Sequence, residues 1–222
     1  MEGHLNSIRR MVLGEFAVNC WIYPLENGDC ALIDPGAEGG AILAMLQRLR
    51  LRPRYILLTH GHFDHIAALP ALRKAAVPEA IALHREDAPF LGPDAFRLHC
   101  RSFAAFGGAS FLEERWEDPP SPDRLLEEGD SIGPFRILHL PGHTPGSIAF
   151  FDEHEGILFS GDTLFNNGVG RTDLWGGNEK ALAASLERLL SMDRNIAVYP
   201  GHGANTSIGR ESDRRHAGNY AM

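Results

Sequence analysis

The run Thr59-His60-Gly61-His62-Phe63-Asp64-His65 follows directly on an apolar stretch, Tyr55-Ile56-Leu57-Leu58, that reads as a buried strand. In an extended segment alternate side chains face the same way. His60, His62 and Asp64 therefore converge on one region, while His65 turns elsewhere. Imidazole and carboxylate are the ligand types of zinc, iron and manganese. A set of such groups facing two ways is what a pair of neighbouring metal ions needs. The chain is rich in histidine, with eleven in 222 residues, and they are not scattered evenly.

Three more candidates share one topological position. His143 stands just past the strand-like run Phe135-Leu140, in Pro141-Gly142-His143-Thr144-Pro145-Gly146. Asp162 follows Ile157-Phe159 in Ser160-Gly161-Asp162, and His202 follows Ile196-Tyr199 in Pro200-Gly201-His202-Gly203. Layered α/β proteins place ligands at the carboxyl ends of their strands, so the HxHxDH segment and these three groups are expected at one rim. Flanking glycines let the backbone turn tightly beside a crowded centre.

Other strand-like runs are Ile8-Leu13, Ala17-Pro24, Cys30-Ile33, Ile81-Leu83 and Ser147-Phe151, rich in Ile, Val, Leu and Phe. Helical periodicity marks Gly39-Leu51, Ile66-Ala76 and Asn178-Met192, the last with Asn178 as a cap. Strands in both halves with helices between them predict an α/β protein with two sheets inside and helices outside. Residues 1–222 read as a single domain with an irregular insertion at about 85–134. Asn27-Gly28 predicts a two-residue hairpin turn that sets Leu25 opposite Cys30 and Cys20 opposite Pro35. Cys20, Cys30 and Cys100 are an odd number without a CxxC and are expected to be reduced, as in a cytoplasmic protein. No basic-then-apolar leader is expected at the start. No apolar run is long enough for a membrane span. A formal charge of -8 disfavours nucleic acid as a partner.

The order HxHxDH, His143, Asp162 and His202 resembles that of the metallo-β-lactamase superfamily. Leu32-Ile33-Asp34-Pro35-Gly36, Gly142-His143-Thr144-Pro145-Gly146-Ser147, Gly161-Asp162-Thr163-Leu164-Phe165 and Gly170-Arg171-Thr172-Asp173-Leu174 are similar to the small bacterial glyoxalase II-like branch. The resemblance implies a four-layer αββα sandwich with two divalent metal ions at one edge, zinc first, with iron or manganese as alternatives. His60, His62 and His143 would hold one ion; Asp64, His65 and His202 would hold the other, with Asp162 bridging. Asp34 would buttress the metal loop from behind. The implied activity is hydrolysis of an anionic small-molecule thioester such as S-lactoylglutathione. Asp64 is then also the candidate to orient or accept a proton from the attacking water.

The same resemblance admits a mononuclear-iron persulfide dioxygenase, which shares a Gly-Arg-Thr-Asp loop, and a lactone or phosphodiester hydrolase on the same centre. Arg171 is a candidate for a substrate carboxylate, with a loop brace to Asp173 as the other reading. Trp175 is a candidate for the pocket mouth. Phe96, Phe103, Phe106 and Phe111 read first as core, with a lid or a homodimer surface as the alternative. His4, His84, His99, His154 and His216 lack such context and are expected at the surface, and His139 inside a strand.

Overall fold

Alternation along each strand sorts the apolar side chains onto two faces, and both faces are covered. The computed structural model describes residues 7–104 and 107–216. In the first half it contains β1 (Arg9–Leu13), β2 (Val18–Pro24), β3 (Asp29–Ile33), α1 (Gly39–Leu49), β4 (Arg52–Leu57), α2 (Phe63–Ile66), α3 (Leu69–Ala75) and β5 (Ala80–His84). A 3-10 turn (Arg85–Leu91), α4 (Ala95–Ala104), α5 (Ala109–Arg115) and β6 (Arg124–Leu126) follow. The second half has β7 (Ser131–Ile132), β8 (Phe135–His139), β9 (Ile148–Asp152), β10 (Ile157–Gly161), β11 (Leu164–Phe165) and β12 (Gly168–Val169). It ends with α6 (Glu179–Leu190), β13 (Ala197–Pro200), β14 (Thr206–Ser207) and α7 (Ile208–His216).

Strands β1 to β6 form one sheet in sequence order; β14-β13-β10-β9-β8-β7 form the second. Trp21, Ala31, Ile33, Tyr55 and Leu57 point from the first sheet onto Phe135, Ile137, Ile148, Phe150 and Phe159 of the second. Their chain neighbours Cys20, Ile22, Cys30, Leu32 and Ile56 point the other way, onto Ile42 and Leu46 of α1 and Leu69 and Leu72 of α3. Leu138, Ala149, Leu158 and Val198 do the same on the far side, against Leu182, Leu186 and Leu189 of α6. A period of two along the strands thus produces the expected αββα sandwich. Asn178 caps α6, its Oδ1 accepting from Ala181 N at 3.0 Å.

Several local expectations need correcting. The first hairpin is shifted by one residue: Pro24 pairs with Cys30 and Trp21 with Ile33. The turn uses three residues, Glu26–Gly28, with Asn27 and Gly28 both at positive φ, rather than Asn27-Gly28 alone. The three cysteines are free. Residues 85–134 hold ordered elements where an irregular stretch was expected. α4 carries Phe96, Cys100 and Phe103, and β6 pairs in parallel with β5 at the sheet edge. Phe103 packs with Phe63 and Leu112 in a small core of its own, whereas Phe96 is exposed. Phe106 and His4 lie outside the described residues, as does the chain after His216. Among the described residues no helix is long and apolar enough to cross a membrane.

One buried carboxylate joins the two halves at the rim. Asp87 Oδ2 accepts from Gly61 N and from Thr144 Oγ1, both at 2.8 Å, and Oδ1 accepts from Gly146 N at 2.7 Å. The loop after β4 and the loop after β8 are therefore held by a single side chain. Burial pushes this carboxyl up to about 6, against those hydrogen bonds.

Phe159 sits at the centre of the inter-sheet core, with Trp21, Tyr23, Phe135 and Tyr199 around its ring. Phe159→Ala should cost about 3–5 kcal/mol, read as a lower urea midpoint at an unchanged slope. Asp87→Ala leaves the buried Gly61 and Gly146 amides without an acceptor, while the Thr144 hydroxyl can turn to Ser147. It should cost about 2–5 kcal/mol and speed hydrogen exchange at the Gly61 and Gly146 amides. Since the Asp87 carboxyl titrates higher folded than its ordinary 3.8, it favours the folded state when protonated. The stability of the wild type relative to Asp87→Asn should therefore fall as pH rises from about 4 to about 6, measured by denaturation across that range.

Candidate metal centre

The chain leaves β4 and presents His60 and His62 before α2, a single helical turn, swings His65 away from them. Thr59 Oγ1 donates to Asp34 Oδ2 at 2.7 Å, which leaves it free to accept from His60 Nδ1 at 3.1 Å. His143 Nδ1 donates to the Arg171 carbonyl at 2.7 Å. His65 Nδ1 lies 3.0 Å from Asp34 Oδ2, off the hydrogen-bond direction, as a charge contact that favours a proton on that nitrogen. In each case the outer nitrogen keeps the proton and Nε2 offers its lone pair inward. His202 is placed by the opposite sheet's neighbour. Asn19 N donates to the Gly201 carbonyl at 2.7 Å, Trp21 Nε1 to that of Pro200 at 3.0 Å, and Val18 forms a bridge with His202.

Two clusters result. His60, His62 and His143 bring one ring nitrogen each within 4.8 Å of the others, and so do Asp64, His65 and His202 with their own donor atoms. His62 Nδ1 and His143 Nε2 are 2.9 Å apart, and His65 Nε2 and His202 Nε2 are 3.3 Å apart. Asp162 lies between the clusters: Oδ2 is 3.6 Å from His143 Nε2 and 3.5 Å from His202 Nε2, while Oδ1 is 3.5 Å from His65 Nε2. All seven expected groups are thus brought together at the ends of β4, β8, β10 and β13. A third group, Asp34 with His60 and His65, is equally close, but both Asp34 oxygens already accept from Thr59.

The two clusters differ electrostatically. Burial, reinforced by the neighbouring imidazoles, holds His60 and His62 well below the usual histidine range, so both are neutral with lone pairs available. Burial opposes a charge on His65 as well, yet Asp162, Asp64 and Asp34 around it push it up to about 10. Burial works against Asp64 too, and the positive His65 and the His202 contact overcome it, holding the carboxyl well below its usual range. One cluster is a set of neutral nitrogen donors; the other holds protons between carboxylates where a cation would serve better. His60 Nε2 and Asp162 Oδ1 are buried without any hydrogen-bond partner. Buried polar atoms are rarely left so. Converging nitrogen and oxygen donors of this kind fit divalent metal ions.

The remaining candidates are placed as follows. Asp34 is buried behind the metal loop and accepts from Thr59 N at 2.8 Å, as a buttress would. Arg171 forks onto Asp173 at 2.6 and 2.7 Å and lines the cavity beside the clusters. Trp175 stays outside that cavity, 36% exposed and edge-on to Phe90; Leu174 lines it instead. The cavity is about 200 Å³, walled by Phe16, Phe63, Phe103 and Leu174. Two histidines expected at the surface are buried: His99 lies on α4 against the cavity, and His84 stacks on His139 at 3.9 Å. Helical spacing, with His99, Ser102 and Phe103 at i, i+3 and i+4, is the signal that places His99 on the inner face. His154 and His216 are exposed, as expected.

The family described as the metallo-beta-lactamase superfamily matches residues 13–202, a span that takes in all seven clustered groups. The probable metallo-hydrolase YqgX of Bacillus subtilis is 36% identical over 212 residues, covering 93% of this chain and 94% of that protein. The hydroxyacylglutathione hydrolase GloC of Haemophilus influenzae is 34% identical over 197 residues, with 88% and 90% covered. Among solved structures, TTHA1623 in a di-iron-bound form is 41% identical and superposes with a TM-score of 0.80, over 92% of this chain and 96% of that one. Fold, donor clusters and relatives agree, and the chain belongs to the metallo-beta-lactamase superfamily of metal-dependent hydrolases.

Proposed function

We propose that the protein is a binuclear hydrolase of thioesters with a small acyl group, of which S-lactoylglutathione is an example. The observation that carries this reading is Asp162, with an oxygen within 3.6 Å of ring nitrogens from both clusters. A carboxylate so placed is suited to bridge two cations. His60, His62 and His143 would hold one, and Asp64, His65 and His202 the other. Zinc suits these nitrogen and oxygen donors, and iron is the alternative that the di-iron form of TTHA1623 suggests. Bound there, the ions would polarise the acyl carbonyl, make hydroxide available near neutral pH and stabilise a departing thiolate.

The protein's own side chains do the rest. Thr59, Asp34 and the Arg171 carbonyl fix the outer nitrogens of the histidines, so that the inner ones need no reorganisation. Asp64, held ionised by His65 and His202, would serve as a ligand of the second ion and can orient the attacking water. A thiol has a pKa of about 8.5, so its anion leaves without the acid that an amide nitrogen requires. A cavity of about 200 Å³ admits a small acyl group and leaves the thiol carrier at the mouth. Phe16, Phe63 and Phe103 give that end an apolar wall. The similarity to GloC, named as a hydroxyacylglutathione hydrolase, supports a thioester over a lactone or phosphodiester.

Metal-replete protein should hydrolyse S-D-lactoylglutathione with kcat/KM above about 10⁴ M⁻¹s⁻¹, and His60→Ala should abolish turnover. Rates no higher than those of His60→Ala would overturn the assignment, and oxygen uptake with a persulfide by protein holding one iron would replace it with a dioxygenase. Elemental analysis should find two metal ions per chain. Asp162→Ala should hold one at most and lose at least about 100-fold in activity.

A further inference from the structure

Three residues lining the cavity carry a buried polar atom with no partner in the protein: His62 Nε2, His99 Nδ1 and Ser102 Oγ. His99 is 0% exposed and Ser102 2%. Unpaired polar atoms are uncommon in folded interiors, and three around one cavity call for a bound water or a ligand group. Their chemistry is defined by their other contacts. His99 Nε2 donates to the Phe90 carbonyl at 3.1 Å, so Nδ1 carries a lone pair and is an acceptor. Burial keeps the ring neutral, lowering it to about 4. His62 turns Nδ1 into the three-histidine cluster; with that nitrogen's lone pair given to a metal ion, its proton would sit on Nε2, a donor. The Ser102 hydroxyl can do either.

A group that satisfies this set must donate and accept at once. A carboxylate only accepts and leaves His99 Nδ1 unpaired; an ammonium only donates and leaves His62 unpaired; an alkyl group leaves all three dry. A hydroxyl meets the requirement. Resting on the thioester reading above, we propose that His99 and Ser102 of α4 form a hydrogen-bonding subsite for a hydroxyl on the acyl group, and so determine which acyl group is cleaved. The hydroxyl donates to His99 Nδ1 and accepts from Ser102 Oγ or His62 Nε2. Because the His62 ring also belongs to the three-histidine cluster, the subsite lies beside the place of the reacting carbonyl. The recognised hydroxyl is therefore close to that carbonyl, as in a 2-hydroxyacyl group. The other acyl atoms rest on the aromatic wall of Phe16, Phe63 and Phe103.

The test compares kcat/KM for the S-D-lactoyl and S-propionyl thioesters of glutathione, which differ only by the hydroxyl. The wild type should prefer the lactoyl substrate by at least about tenfold. Ser102→Ala removes one partner. His99→Gln removes Nδ1 while an amide nitrogen near the former Nε2 keeps the bond to Phe90. Each variant should bring the preference to within about threefold of unity by slowing only the lactoyl substrate, with metal content and melting temperature unchanged. Equal turnover of both substrates by the wild type overturns the subsite. So does a preference that both variants retain, or an equal loss on both substrates, the mark of a trapped water that merely braces His62. Failure of the wild type to cleave either thioester sinks the thioester reading itself, and a subsite for its acyl group with it.

Discussion

Crowding five imidazoles and two carboxylates at the rim of two sheets is unfavourable unless each ring is told which nitrogen faces inward. Asp34 does much of this from behind the site. Its carboxylate takes the Thr59 amide and hydroxyl, and through that hydroxyl orients His60, while also facing His65 Nδ1. A single buried side chain therefore reaches one histidine in each cluster. Asp34 itself sits at a positive φ of 52°, a backbone position that non-glycine residues adopt at some cost and that the hydrogen bonds offset. Arg171 performs the same task for His143, but with its backbone carbonyl, so its guanidinium remains with Asp173.

The approach of loops that this requires is close enough to exclude side chains. A Cβ at Gly36 would overlap the Asp64 carbonyl, and one at Gly201 would overlap the Asp162 carboxylate. The glycines beside the clustered groups are spacing elements: Gly36 lets the loop after β3 meet the HxHxDH turn, and Gly201 lets the loop after β13 meet that after β10. Asp87 then fixes the distance between the β4 and β8 loops with three hydrogen bonds. Rigidity at this rim comes from polar contacts, whereas the layers beneath are held by apolar alternation.

That division explains what could be read from the sequence. Period-two runs such as Cys30-Ala31-Leu32-Ile33 name both faces of a strand, so the sandwich and the strand ends follow directly. The HxHxDH spacing and the strand-end positions of His143, Asp162 and His202 place the clusters. The short strands β11, β12 and β14 carry too few residues for any period to show. The hairpin register turned on whether Glu26 joins the turn, and an Asn27-Gly28 pair at positive φ suits either length. Asp87, His84 and His99 escaped notice because an isolated polar residue looks solvated until the element packed against it is known. His99 becomes an inner residue only once α4 is laid over Phe63 and Phe90.

The loop that carries His202 is stitched to β2 through Val18, Asn19 and Trp21. Each donor cluster therefore combines groups from both halves: the first needs His143, the second His202. While the polypeptide is being synthesised, the HxHxDH segment emerges long before either partner. A cation met at that stage finds flexible ligands and exchanges freely. Full coordination becomes available only after the two sheets dock and the loop after β13 reaches β2. Both donor clusters are thereby completed only in the nearly finished molecule, whose geometry would then select among ions.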